Sequence, residues 1–200
     1  MSPLAHKAAH RMLDARDDWE TPQALFDALD AIYDFDVDLA ATRATAKCPM
    51  YLGPDKEERR FQDSFAVDWR QWRTGWLNPP YGRECFDCPD RVWRTPKHVK
   101  AGLAERTCTQ MSHRGYDISD WARKAFNSAG FAACRIVMLT FARTDTKWWH
   151  EHAIKTGGHF IKGRVKFLID GSERWHAPAP SAVIVFDGLP PKPYTTLEIP

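Results

Sequence analysis

Apolar residues recur at helical spacing near the start of the chain. They stand three or four positions apart, which is the pattern of one buried face of an α-helix. Thr21 suits the N-cap of this helix and Pro22 its first helical position, because a threonine oxygen can accept a backbone N–H and proline has none to satisfy. The pattern predicts an amphipathic helix whose apolar stripe is Leu25, Phe26, Leu29 and Ile32.

Four further stretches have the patterns of β-strands. Residues 33–42 alternate apolar and acidic side chains, and residues 160–167 alternate apolar and basic ones. Residues 135–141 and 179–186 are apolar runs, typical of strands covered on both faces. A helix is predicted from residue 118, with Ser119 as its cap and Gly130 at its end. Its inward residues are Trp121, Ala125 and Phe126. These elements together indicate an α/β fold.

A stiff loop follows the short apolar strand that ends at Leu77. Its residues are Asn78, Pro79, Pro80 and Tyr81, and the prolines restrict both their own φ and the residues before them. The Asn78 side-chain oxygen and the Pro79 carbonyl can each accept one N–H of an amino group, while Tyr81 stacks on the ring that carries it. The loop therefore suits an exocyclic amine on a planar ring. A surface turn without function is the alternative.

Composition narrows the class of protein. The chain has 200 residues, of which 44% are hydrophobic and 27% charged, as in an ordinary globular domain. A net charge of +2 is too small to indicate a nucleic-acid binder by itself. No run reaches the length of a membrane span, and the first residues lack the apolar core of a signal peptide. We expect a cytoplasmic protein whose five cysteines are thiols or metal ligands.

Three cysteines lie in a basic insertion at residues 84–116. Cys85, Cys88, Cys108 and His113 have the spacing C-x2-C-x19-C-x4-H, which is within or close to that of structural zinc modules. A small basic loop buries too little apolar surface to fold alone, so a metal would explain its order. His98 can replace His113 as the fourth ligand. Free reduced cysteines in a flexible loop are the alternative.

Several blocks of the sequence resemble one family. Asn78-Pro79-Pro80-Tyr81 resembles the catalytic tetrapeptide of amino-methyltransferases that use S-adenosylmethionine. The segments 38–41, 142–150 and 160–167 resemble phage-type DNA N6-adenine methyltransferases. The resemblance implies a Rossmann-like methyltransferase domain at residues 17–187, after a loose lead-in at 1–16 and before a Pro-rich, extended tail at 188–200. The chain departs from the broader superfamily because it has no Gly-x-Gly after the first strand.

The resemblance also implies which residues bind S-adenosylmethionine. Asp38 is expected to bind the amino group of the cofactor's methionine part. Asp63 is expected near the cofactor's adenine, and Phe65 is a candidate to pack against that ring. Thr21 and Pro22 carry over as contacts, with pure helix capping as the alternative. The full implied set is Trp19, Thr21, Pro22, Asp38, Ala40, Asp63 and Phe65.

The implied substrate is adenine in double-stranded DNA. The base must flip out of the duplex to reach the loop at Asn78. Lys162, Arg164 and Lys166 share one face of a predicted strand and can neutralise phosphates, with a solvated amphipathic strand as the alternative. Arg143 and Asp145 follow a buried strand and are candidates to position the DNA or brace the loop; alternatively, Thr144 or Asp145 caps the next helix.

Two rival functions remain open at this level. An enzyme of the same fold could act on RNA or on a protein glutamine, since similar loops occur in such enzymes. A zinc-stabilised DNA-binding module that has lost catalysis is the other. Cofactor binding separates this module from both kinds of enzyme.

Overall fold

The structure is a computed structural model, and it describes residues 19–81, 100, 102, 116–130, 134–169 and 172–199. The chain divides into two compact units. One comprises Met1–Trp19 and Pro80–Asp120, and the other comprises Glu20–Pro79 and Trp121–Pro200. Every strand of the described ranges belongs to the second unit.

Eight strands are present in the described residues. They are β1 Val37–Asp38, β2 Thr74–Leu77, β3 Arg135–Phe141, β4 Gly157–Ile161, β5 Lys166–Ile169, β6 Ser172–His176, β7 Ser181–Phe186 and β8 Tyr194–Leu197. Six of them form a mostly parallel sheet in the order β1-β2-β3-β7-β4-β8, in which β7 is antiparallel to both neighbours. β5 and β6 form a separate antiparallel hairpin. This mixed α/β architecture is compatible with the predicted Rossmann-like fold.

The core of the sheet is built from the apolar runs. All of β2 is buried, and β3 is buried from Ile136 onward. Asp38 pairs with Trp76 and Leu77 pairs with Met138 in the parallel ladder β1-β2-β3. The carboxyl ends of these three strands therefore lie at one edge, where ligands bind in open α/β sheets. The predicted strands at 135–141 and 179–186 and the strand ending at Leu77 are confirmed.

The first helix differs from its prediction at both ends. Helix α1 spans Gln23–Tyr33 and buries Leu25, Phe26 and Leu29. Ile32 is 57% exposed, so its place in the apolar stripe is wrong, because packing against the core ends one turn earlier. Thr21 is not the N-cap: Pro22 occupies that position, and no side chain caps the helix.

The second helix, α2, spans Ile118–Ala129 and is followed by Gly130 as predicted. Its cap is Asp117, whose carboxylate accepts both the N–H and the hydroxyl of Ser119. Ser119 therefore lies inside the helix, and its assignment as cap was wrong. A third helix, α3, spans Lys147–Glu151 with Thr146 at its N-cap position, so neither Thr144 nor Asp145 caps it.

Two predicted strands are shorter than the alternating patterns suggest. Tyr33 completes α1 and Asp34 follows in the left-handed conformation, so only Val37 and Asp38 remain for β1. Residues 160–167 do not form one strand, because β4 ends at Ile161 and the chain turns at Gly163 with φ 85° before β5 begins. The predicted shared strand face of Lys162, Arg164 and Lys166 is therefore wrong.

The proline-rich end of the chain adds a strand to the sheet. β8 pairs in parallel with β4, with His159 opposite Thr195. The predicted extended chain is present here, and its pairing with β4 was not predicted. Within the described ranges, no helix has the length and hydropathy of a membrane span.

Candidate active site

Asn78 directly follows the carboxyl end of β2, whose last residues are tightly packed. Trp76 and Leu77 are 1% and 0% exposed, and the Trp76 ring packs edge-on against Phe26 at 5.7 Å between centroids. The Trp76 carbonyl accepts the Leu39 N–H at 2.9 Å, which ties the end of β2 to the end of β1. Asn78 itself is half-buried and Pro79 is buried. Asn78 therefore directly follows a buried strand, as predicted.

Asp38 is a buried carboxyl group at the end of β1. It is 3% exposed, and its two oxygens accept the backbone N–H groups of Ala40 at 3.2 Å and Lys47 at 3.1 Å. Burial raises the pKa of Asp38 to about 6, although both hydrogen bonds oppose the rise. A nearby cation would stabilise the ionised form of such a group. This is the chemistry expected of a side chain that binds a ligand amino group.

A third chain segment runs beside Asp38. The Asp38 N–H donates to the Met50 carbonyl at 2.9 Å, and the Leu52 N–H donates to the Asp38 carbonyl at 2.8 Å. A Cβ on Gly53 would lie 1.6 Å from the Ala41 carbonyl oxygen, so only glycine permits this approach. Gly53 has no sequence signal, because its close contact lies twelve positions away.

Thr21 brings the start of α1 into the same region. Its side chain is 2% exposed, and its hydroxyl has no hydrogen-bond partner in the part of the chain that the structure describes. A buried hydroxyl without a partner costs about 1–3 kcal/mol. Lys47 links this region to β1, because its Nζ donates to Gln23 Oε1 at 3.1 Å while its backbone N–H binds Asp38.

The loop after residue 62 also reaches the end of β1. Asp63 is exposed and its Oδ1 accepts the Phe65 N–H at 2.9 Å. Between them, the buried Ser64 hydroxyl donates to the Leu39 carbonyl at 2.6 Å. The predicted cofactor contacts Asp63 and Phe65 are thus anchored beside Asp38 and Ala40. Sequence reasoning missed Ser64, whose contact is 25 positions away.

The first unit contains two of the predicted aromatic residues. Trp19 and Tyr81 lie with ring centroids 5.7 Å apart and planes inclined by 55°. Burial raises the pKa of Tyr81 well above its ordinary value, so its hydroxyl stays neutral. The two rings predicted to contact cofactor and base therefore contact each other within this unit.

The predicted DNA-binding residues lie in three places. Arg143 and Asp145 are exposed just after β3. Lys162 Nζ forms an ion pair with Glu198 Oε1 at 2.7 Å. Arg164 donates to the Ala177 carbonyl at 3.3 Å, and Lys166 is exposed at the start of β5.

The predicted zinc ligands Cys85, Cys88, Cys108 and His113, and the alternative His98, lie outside the described residues. Among the described residues, no group of three or more His, Cys, Asp or Glu side chains could hold a metal.

The family relationship follows from a comparison with family models. The model for DNA N-6-adenine-methyltransferase (Dam) matches residues 8–197. The chain belongs to this family. Comparison with curated proteins and with solved structures found no match. As a Dam family member, the protein is an adenine-specific DNA methyltransferase that uses S-adenosylmethionine. The family, the reaction and the DNA substrate predicted from the sequence are confirmed, because the family description names DNA adenine as the methyl acceptor.

Proposed function

We propose that the loop beginning at Asn78 methylates N6 of an adenine flipped out of double-stranded DNA. One observation carries this proposal: Asp38 pairs with Trp76, two residues before Asn78. The proposed cofactor-binding carboxylate and the proposed catalytic amide therefore lie at the carboxyl ends of neighbouring parallel strands, which are about 4.8 Å apart in a sheet. Methyl donor and methyl acceptor must meet at such a point.

Asn78 acts through orientation and electrostatics, since a neutral amide is too weak a base to remove a proton from an amine. Its Oδ1 and the Pro79 carbonyl accept the two N–H groups of the adenine amine. These bonds draw the nitrogen toward a tetrahedral shape and free its lone pair for attack. Pro80 keeps the loop stiff, and Tyr81 stacks on the base, whose extrusion costs about a few kcal/mol.

S-adenosylmethionine, when bound, supplies a methyl group on a cationic sulfur; the methyl–sulfur bond breaks, the bond to N6 forms, and N6 releases one proton to solvent. The Asp38 carboxylate holds the amino group of the methionine part, and Ala40 leaves room for it. The Thr21 hydroxyl binds another polar atom of the cofactor. Asp63 accepts a hydrogen bond from the amine of the cofactor's adenine, and Phe65 covers that adenine ring. Trp19 and Pro22 complete the set on the basis of the family resemblance.

The DNA contacts are proposed from charge and position. Arg143 and Asp145 are exposed next to the carboxyl end of β3, which is the neighbour of β2. Lys162, Arg164 and Lys166 contact phosphates, and Lys162 exchanges its ion pair with Glu198 for a phosphate when DNA binds. Such contacts position the duplex and carry no sequence information directly.

The zinc site stays a prediction from the spacing of Cys85, Cys88, Cys108 and His113. Metal analysis of purified protein tests it, since the site requires about one zinc per chain and a Cys88→Ser variant should lose it. The resemblance to phage-type enzymes suggests the cytoplasm of a phage-infected or prophage-carrying bacterium as the setting.

The catalytic proposal is tested by transfer of labelled methyl from S-adenosylmethionine to unmethylated DNA, followed by digestion to nucleosides. The wild type should place the label in N6-methyladenine. Asn78→Ala should fold and bind cofactor but lose most turnover. Asn127→Ala, at an exposed position of α2, is the matched control and should keep full turnover. Full activity of Asn78→Ala would refute the assignment.

A further inference from the structure

Lys124 of α2 connects that helix to the loop that carries Asp63 and Phe65. Its Nζ donates to two backbone carbonyls of the loop, those of Phe65 and Val67, each at 2.9 Å. The ammonium group also lies 4.9 Å from the centroid of the Trp69 ring. Hydrogen bonds from a charged donor are among the stronger ones in proteins. One side chain therefore fixes two alternate peptide groups of the loop.

Three further contacts hold this loop in place. The Ser64 hydroxyl binds the Leu39 carbonyl, and Trp69 Nε1 donates to the Ser64 carbonyl at 3.0 Å. The Phe65 ring packs edge-on against Trp121 of α2 at 4.5 Å. Burial lowers the pKa of Lys124, while Asp68 and Asp63 oppose that change.

We infer that Lys124 is a positioning residue for recognition of the cofactor's adenine ring. Its hydrogen bonds to the Phe65 and Val67 carbonyls fix the backbone conformation of the loop that carries Asp63 and Phe65. Lys124 therefore acts through this loop and not by contact with the cofactor. The inference rests on the proposed assignment of Asp63 and Phe65 to the adenine. Preorganising a binding loop raises affinity because less ordering remains to be done on binding.

The test uses two ligands that differ only in the base: S-adenosylhomocysteine and its analogue with hypoxanthine in place of adenine. Asp63 can accept a hydrogen bond from the adenine amine, whereas it faces an oxygen in hypoxanthine. The full-length wild type should therefore prefer the adenine ligand. Lys124→Met should weaken adenine-ligand binding about tenfold, or about 1.4 kcal/mol, and weaken the hypoxanthine ligand much less. The preference for adenine then shrinks.

Two variants serve as controls. Lys124→Arg should keep the preference, because a guanidinium can donate to both carbonyls. Lys147→Met removes an 87% exposed lysine of α3 and should change neither dissociation constant. In turnover assays, Lys124→Met should raise KM for S-adenosylmethionine while kcat at saturation changes less than about twofold.

Equal weakening of both ligands by Lys124→Met would overturn the inference, because it would show no effect that depends on the adenine amine. Unchanged binding would overturn it as well. A wild type that binds neither ligand would instead refute the proposed cofactor site itself. Thermal unfolding of each variant confirms that binding is compared between folded proteins.

Discussion

Asp38 allows a quantitative test of the proposed site, because a buried carboxyl group links stability to pH. Burial raises the pKa of Asp38 from 3.8 to about 6. Since a displacement of one in pKa corresponds to about 1.4 kcal/mol, ionised Asp38 destabilises the ligand-free protein by about 3 kcal/mol. This penalty is absent below the unfolded pKa, grows as pH rises, and is complete above the folded pKa. Removing the charge should therefore help the ligand-free protein only at higher pH.

The perturbation is Asp38→Asn, and the measurement is urea unfolding at a series of pH values between about 4 and 8. The variant loses one acceptor, which adds a cost that does not change with pH. The free energy of unfolding of the variant minus that of the wild type should therefore rise with pH by about 3 kcal/mol in total. S-adenosylhomocysteine should bind the variant more weakly than the wild type, because a neutral amide forms no ion pair with an ammonium group.

Asp68→Asn provides a control of opposite sign. The hydrogen bonds from Arg70 lower the pKa of Asp68 to about 2. The stabilisation that ionised Asp68 provides is therefore present above its unfolded pKa and is lost as pH falls toward about 2. The difference in free energy of unfolding between wild type and Asp68→Asn should accordingly shrink in acid. Asp68 is largely exposed, so the effect is small. If the stability difference for Asp38→Asn were flat or fell with rising pH, the reasoning about the buried carboxyl would be refuted.

Two further predictions concern residues around β1. Thr21→Val should weaken S-adenosylhomocysteine binding about tenfold, or about 1.4 kcal/mol. It should not lower the melting temperature, because the hydroxyl that it removes has no hydrogen-bond partner in the described residues. Calorimetric titration and thermal unfolding check this, and a drop in melting temperature without loss of affinity would contradict it. Gly53→Ala should destabilise the protein by at least about 3 kcal/mol, since its Cβ would overlap the Ala41 carbonyl oxygen; urea unfolding measures the loss, and wild-type stability would show that the close approach is not required.

The buried strands β2, β3 and β7 could be predicted from sequence because their signals are local. The run 135–141 is apolar throughout, so it specifies a covered strand without knowledge of its neighbours. Asn78 stands next to an apolar strand end and two prolines, and this short motif also carries the family resemblance. The alternating run also placed Asp38 near the end of a strand, whereas its role toward the cofactor is implied only by the family resemblance.

Tertiary structure decided what depends on distant partners. The alternation at 160–167 suggested one strand, but pairing of β4 with β7 and β8 ends at Ile161, and the chain turns before β5. Ser64, Gly53 and Lys124 gave no sequence signal, because each acts on a backbone carbonyl brought close only by folding. The raised pKa of Asp38 is likewise a consequence of burial. Motif and periodicity determined which residues end the strands, whereas long-range packing determined how those residues are held and charged.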